Sequence, residues 1–161
     1  MQGLFKFQKY FFALYLLLIG TALGAIITSG AFSAPVIFRA SAIVPTLEIS
    51  PFESGLLMSE IFKKLNVILN FLAIYMLVYE ILSMRVFGSK LAPLLGFISI
   101  ILIGLFTLYY TPFMLNAQSL GETHTQNAAF DSMHLQSVYV FKALMVTLCA
   151  LFIVRILKYK S

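Results

Sequence analysis

Charge is scarce in this chain. Of 161 residues only 11% are charged, whereas 61% are hydrophobic and the mean hydropathy is +0.97. A soluble domain is about a quarter charged, so this composition cannot supply a water-facing surface and the bilayer is the expected solvent. Cysteine is reduced to Cys149, which excludes an intrachain disulfide and a cysteine-rich zinc site. The chain has no Walker loop, no serine nucleophile elbow and no pair of carboxylates within one apolar run. Nucleotide hydrolysis, triad chemistry and paired-carboxylate catalysis therefore lack their residues, and we expect no enzyme and no catalytic residue. A concentrated basic patch is also missing. The net charge of +5 comes from residues scattered at the ends of apolar runs, so nucleic acid is not an expected partner.

What the chain does contain is long apolar runs. Residues 1–161 read as one integral membrane domain, an all-α four-helix transmembrane bundle with spans at about 10–38, 65–84, 91–110 and 137–157. The first run follows Lys6 and Lys9 as a signal peptide would, but it is about twice the length of a signal core and reads as an uncleaved span. Gly20 and Gly24, extended by Thr28 and Ala31, form a small-residue strip that lets another helix approach closely. Pro35 is expected to kink or stop this span. Glu53 to Lys64 alternates charges with Phe52, Leu56, Leu57, Ile61 and Phe62, the pattern of an interfacial segment leading into the second span. Glu80, near Arg85, reads as an interfacial ion pair or a snorkelling end. Tyr109-Tyr110-Thr111-Pro112 reads as an aromatic belt followed by a proline stop, and Asn116 to Gln126 as an exposed loop.

The two ends and the second loop hold seven Lys or Arg (Lys6, Lys9, Arg85, Lys90, Arg155, Lys158, Lys160), and the first and third loops hold three (Arg39, Lys63, Lys64). The positive-inside rule then puts both termini in the cytoplasm of a plasma membrane, the inner membrane in a Gram-negative cell. Nearly every unusual polar group falls on the outer side. The candidate ligand-binding residues are Arg39, Glu60, Asn66, Asn70, Asp131, His134, Ser137 and Lys142.

Asp131, His134, Lys142, Met145 and Cys149 fall within an arc of about 80° on the last helix. An imidazole beside a carboxylate is poised near neutral pH. A lysine as deep as Lys142 costs about 2.5–3.5 kcal/mol unless it finds a partner or water. Asn66 and Asn70 are expected to face it, with Glu60 above as counter-ion. Soft ligands at the outer side (His124, His134, Met58, Met114, Met133) would suit Cu(I), although no regular metal spacing is present and methionine stripes more often pack. Haem would need a second axial ligand on a facing helix, so no cofactor is implied.

Ala34-Pro35-xx-Phe38-Arg39 after a glycine-rich first span, Ser54-Gly55 with Ile61-Phe62, Pro112, and Phe130-xxx-His134-xx-Ser137 opening the last span resemble the transmembrane protein 205-like family, whose bacterial members carry domain of unknown function 4149. The resemblance runs from about Gly20 to Leu157. It implies a small polytopic membrane protein and supplies no activity. Three functional classes follow: a protein that binds or passes a small solute or ion through an outer-side polar pocket, an assembly subunit that contacts a second copy or another membrane subunit, and a copper-handling protein. The bilayer is the expected surrounding in each.

Overall fold

The computed structural model describes residues 2–84 and 91–159, with side chains described for 8–83 and 91–157. Helix α1 (Gln2–Ile27) leads through a π-helical turn (Thr28–Ser33) into α2 (Ala34–Phe38), and a short α3 (Ala40–Ile43) follows. Helix α4 (Pro51–Met84) is the longest. Helix α5 (Leu91–Gly104) leads through a second π-helical turn (Leu105–Tyr110) into α6 (Thr111–Ser119), and α7 (Ala128–Tyr159) ends the chain. Four stretches are long and apolar enough to cross a membrane: Gln8–Phe38, Pro51–Ser83, Leu91–Ser119 and Ala128–Leu157. The protein is thus a multi-pass helical membrane protein. Each stretch of 29 to 33 residues is about 45 Å long at 1.5 Å per residue, more than the roughly 30 Å of hydrocarbon, so it tilts or projects beyond the core.

The helix starts follow from their caps. Ser50 and Glu53 form a reciprocal capping box: Ser50 N donates to Glu53 Oε2 at 2.7 Å, and Glu53 N to Ser50 Oγ at 3.1 Å. With Pro51 in the first turn, this starts one continuous helix where an interfacial segment and a separate span were expected. Asn127 caps α7, its Oδ1 accepting from Phe130 N at 2.9 Å. The expected proline stops do not occur. Pro35 and Pro112 lack an N–H and crowd the carbonyl four residues back. In both spans a wider π turn lies just upstream, and the residue before each proline bonds five residues back, Ala34 N–H to Ser29 O and Thr111 N–H to Phe106 O. The helical path continues through the proline instead of ending.

The spans pack in chain order around a ring. The first touches the second and fourth, and the third touches the second and fourth, giving an up-down-up-down bundle. The core repeats with alternating steps of four and three: Tyr15, Ile19, Ala22 and Ile26; Leu65, Leu69, Leu72 and Met76; Leu144, Leu148 and Leu151. That is the seam of a left-handed bundle. The third span presents Ala92, Gly96, Ser99 and Ile103 at the same steps. Its small residues let backbones approach where lipid offers no hydrophobic drive to association.

The next rungs of two seams are charged. Glu80 follows Met76 by four and Arg155 follows Leu151 by four, and they are 0% and 7% exposed. Arg155 Nη2 pairs with Glu80 Oε2. Tyr15 OH donates to Glu80 Oε1. Ser83 Oγ donates to Glu80 Oε2 at 3.3 Å and accepts from Arg155 Nη2 at 3.4 Å. The ring of Tyr79 stacks on Tyr15 with centroids 4.1 Å apart, and the Arg155 guanidinium carbon lies 5.2 Å from the Tyr79 centroid. Gly96 closes the cage, because a Cβ there would stand 2.6 Å from Glu80 Oε1. All four spans meet at this cluster. The reading of Glu80 as an interfacial partner of Arg85 is corrected, and Arg155 is not a plain basic anchor; Arg85 itself lies outside the described residues. Glu80→Gln is expected to destabilise the protein by about 3–5 kcal/mol, because it leaves a buried cation uncompensated, and adding Arg155→Met should recover most of the loss. Gly96→Ala should cost about 1–3 kcal/mol through overpacking. Unfolding in detergent, followed by circular dichroism, reads all three.

Candidate functional site

At the end of the bundle opposite this cluster, the loop end, the first and fourth spans separate. The π turn and α2 pack on α4, whereas the first span meets the fourth chiefly through α1. A cavity of about 680 Å³ fills the gap. Its back wall is buried: Met58 on the second span, and Phe106, Tyr110 and Thr111 on the third. Its front edges are exposed: Ile27, Ala31 and Phe38 on the first span, His134 and Lys142 on the fourth. Pro51, Glu122 and Gln126, exposed at the loop end, line it too, so the cavity opens between the first and last spans and at that end.

Three phenylalanines line the deep part of the cavity and join the second, third and fourth spans. Phe62 meets Phe106 and Phe141 edge-on with centroids 5.5 and 5.6 Å away, and Phe106 lies 5.0 Å from Phe141. Gly30 brings the first span onto this floor. A Cβ there would stand 2.9 Å from the Phe141 ring, so a larger residue would displace the aromatic. Both π turns border the space, through Gly30 and Ala31 on one and Phe106 and Tyr110 on the other. Such turns widen a helix and re-aim its side chains, and they recur at functional sites.

The polar members cluster toward the loop end. Ser59 Oγ donates to Gln118 Oε1 at 2.7 Å, and Tyr110 OH to Gln136 Oε1 at 3.2 Å. Tyr110 is thus buried in the cavity wall and not part of an aromatic belt, while its neighbour Tyr109 is 55% exposed. Gln126 Nε2 donates to Glu122 Oε1 at 2.9 Å. Gln118, read from sequence as loop, lies near the end of α6.

Of the eight residues singled out from the sequence, His134, Ser137 and Lys142 line this cavity. Ser137 spends its hydroxyl on His134 O at 2.6 Å. His134 lies parallel to Phe130, centroids 6.4 Å apart, and no ion pair joins it to Asp131. Asp131 and Arg39 are exposed and outside the lining. Glu60 pairs with Lys63 at 2.5 Å and borders a separate, shallower groove with Glu48 and Glu53. The expectation that Asn66 and Asn70 face Lys142 is corrected. Thr107 Oγ1 on the third span donates to Asn70 Oδ1 at 2.8 Å, and the buried Oδ1 of Asn66 accepts no bond among the described residues. The π turn delivers the Thr107 hydroxyl to that face of α4, and a polar side chain in hydrocarbon takes the nearest donor. Lys142 has neither an ion pair nor a hydrogen bond among the described residues. Of the soft metal ligands, Met58, Met114 and His134 share the cavity lining and Met133 and His124 do not. Among the described residues no three of His, Cys, Asp and Glu gather as a metal site.

Sequence reasoning missed the charged cluster and the apolar character of the cavity. The four-three spacing of Leu144, Leu148 and Leu151 places Arg155 in the core as well, whereas Glu80 follows Met76 by four where the alternation calls for three. The cavity has no comparable sequence signal beyond the two prolines.

Four apolar spans around a cavity define a small polytopic membrane protein. The model of the family described as domain of unknown function (DUF4149) matches residues 17–123. The match covers most of the first span, all of the second and third, and most of the chain, and the protein belongs to that family. Neither the curated proteins nor the solved structures contain a match to the chain. The fourth span, with Lys142 and Arg155, lies beyond the matched region. Lys142→Leu is expected to leave the melting temperature unchanged or raised, since it removes an unpaired intramembrane cation. Asn70→Leu should lower stability by roughly 1 kcal/mol by stranding Thr107, and a double-mutant cycle with Thr107→Val should show the coupling.

Proposed function

We propose that the protein binds an amphiphilic small molecule drawn from the surrounding leaflet and holds it in the cavity between the first and fourth spans. The observation that carries this reading is the cavity itself: about 680 Å³, within the range of sites that enclose drug-sized ligands. An apolar lining and a mouth on the lipid side suit a molecule already dissolved in the bilayer. They suit a hydrated ion poorly, since the polar groups at the loop end are largely bonded to one another. The small-solute class thus narrows to a lipophilic one, and of the sequence candidates His134, Ser137 and Lys142 belong to the site.

The orientation proposal keeps both termini cytoplasmic and the cavity in the outer leaflet. It rests on the count of basic residues. The side chains of Lys6, Arg85, Lys90, Lys158 and Lys160 lie outside those described, and Arg155, neutralised by Glu80, no longer contributes. In a Cys149→Ser background, a cysteine at Thr125 is expected to react with a membrane-impermeant maleimide on intact cells. Protection there, with reaction only after lysis, would reverse the assignment.

A second reading, assembly with another copy or another membrane subunit, is favoured by the exposure of Gly20 and Gly24, which have nothing within 4 Å of an added Cβ. Gly24→Leu should then dissociate the assembly without touching the cavity.

The binding reading is tested with a neutral probe. Native mass spectrometry of the detergent-purified protein titrated with 1-hexadecanol is expected to show one bound molecule per chain. Ala31→Trp, which plugs the mouth, should weaken that binding roughly tenfold or more, equivalent to at least about 1.4 kcal/mol. Equal occupancy in the folded variant would sink the proposal.

A further inference from the structure

We infer that the amphiphile taken by the cavity is anionic, with its head held by Lys142 and its chain laid against the phenylalanine floor; this rests on the binding reading above. Lys142 is the sole lysine or arginine among the residues that line the cavity. Among the described residues it has no ion-pair partner. Glu80, the buried carboxylate, is taken by Arg155, and Glu60 by Lys63. Glu122, the carboxylate in the lining, accepts from Gln126 and stands in the turn before α7. Lys142 stands 14 residues into α7, about 21 Å along the axis from its first residue.

An unpaired ammonium at such depth is unfavourable by itself. Its position becomes favourable when a ligand brings the charge. Side chains on a helix lean toward its N-terminus, so the stem of Lys142 carries the ammonium toward the loop end, along the stripe of His134, Val138 and Lys142 that faces the cavity. An acidic head seated there keeps its chain in register with the rest of the lining. One turn deeper the walls are Met145 and Ile26, and between lie Phe62, Phe106 and Phe141. Across the mouth the first span offers Gly30, Ala31 and Ala34, small residues that leave room for a chain to slide in from lipid. The cavity volume of about 680 Å³ suits a single hydrocarbon chain with a compact acid group better than a two-chain phospholipid. The chemistry required is one negative group on one apolar chain, as in a fatty acid.

The test compares palmitate with 1-hexadecanol, which share the chain and differ in the charge of the head. Both are titrated onto the full-length protein in detergent and read by native mass spectrometry. The wild type is expected to prefer palmitate by roughly ten- to hundredfold, the worth of one charge-assisted hydrogen bond. Lys142→Met should erase the preference while keeping the affinity for hexadecanol, and Lys142→Arg should restore it. The Met variant is expected to fold, because Lys142 holds no partner among the described residues. Equal affinities in the wild type, or a preference that survives Lys142→Met, would overturn the anionic assignment and leave the cavity reading standing. Failure of both probes to bind the wild type would remove the cavity reading and this inference with it.

Discussion

The bundle depends on one ion pair buried among its helices. Glu80 and Arg155 come from the second and fourth spans, Tyr15 from the first bonds the same carboxylate, and Gly96 from the third makes room for it. Lipid gives helices no hydrophobic reason to associate, so packing and polar contacts must select the arrangement. A shared carboxylate does this with high specificity. Each alternative register strands a charge, and stranding one is far costlier than the pair is stabilising. The remaining core is interchangeable by comparison, a set of Leu, Ile and Ala rungs on a four-three repeat.

The two ends of the bundle differ because this constraint acts at one of them. Near Glu80 the spans are drawn together. Toward the loops the polar contacts are peripheral, Asn70 with Thr107 and Ser59 with Gln118. There the two proline-linked π turns redirect the first and third spans. The cavity lies where the geometry of a regular bundle is interrupted twice at comparable height. Its apolar lining and side mouth follow from the same departure, since a helix that leaves its neighbour exposes both to lipid.

The architecture was readable from the sequence to a large degree, because span-length apolar runs have few other interpretations. The family was readable from short motifs around Pro35, Ser54-Gly55 and Pro112. The site was harder. His134, Ser137 and Lys142, which line the cavity, stand out in the sequence as polar residues on the last span, a one-dimensional property. Their relation to Asn66 and Asn70 was misjudged because depth was taken to imply facing, whereas rotation of α4 turns Asn70 to Thr107. Arg155 was legible in principle, since it continues the four-three steps of Leu144, Leu148 and Leu151. Glu80 was not, because it follows Met76 by four where the alternation calls for three, and its place near Arg85 fitted the pattern of a helix end. The cavity has no such signature, since a void is a property of how four helices diverge and not of any one of them.

The ring order has a mechanical consequence. Three of its four seams join spans that are consecutive in the chain: first and second, second and third, third and fourth. The seam between first and fourth has no loop and is the one that carries the mouth. Across it Glu80 acts as a clasp, holding Tyr15 on one side and Arg155 on the other. The first span runs 31 residues from Gln8 to Phe38, and Tyr15 lies near one end of it. Beyond the clasp each helix is a lever arm, and a tilt of a few degrees at Glu80 becomes a displacement of ångströms at Ala31 and Lys142.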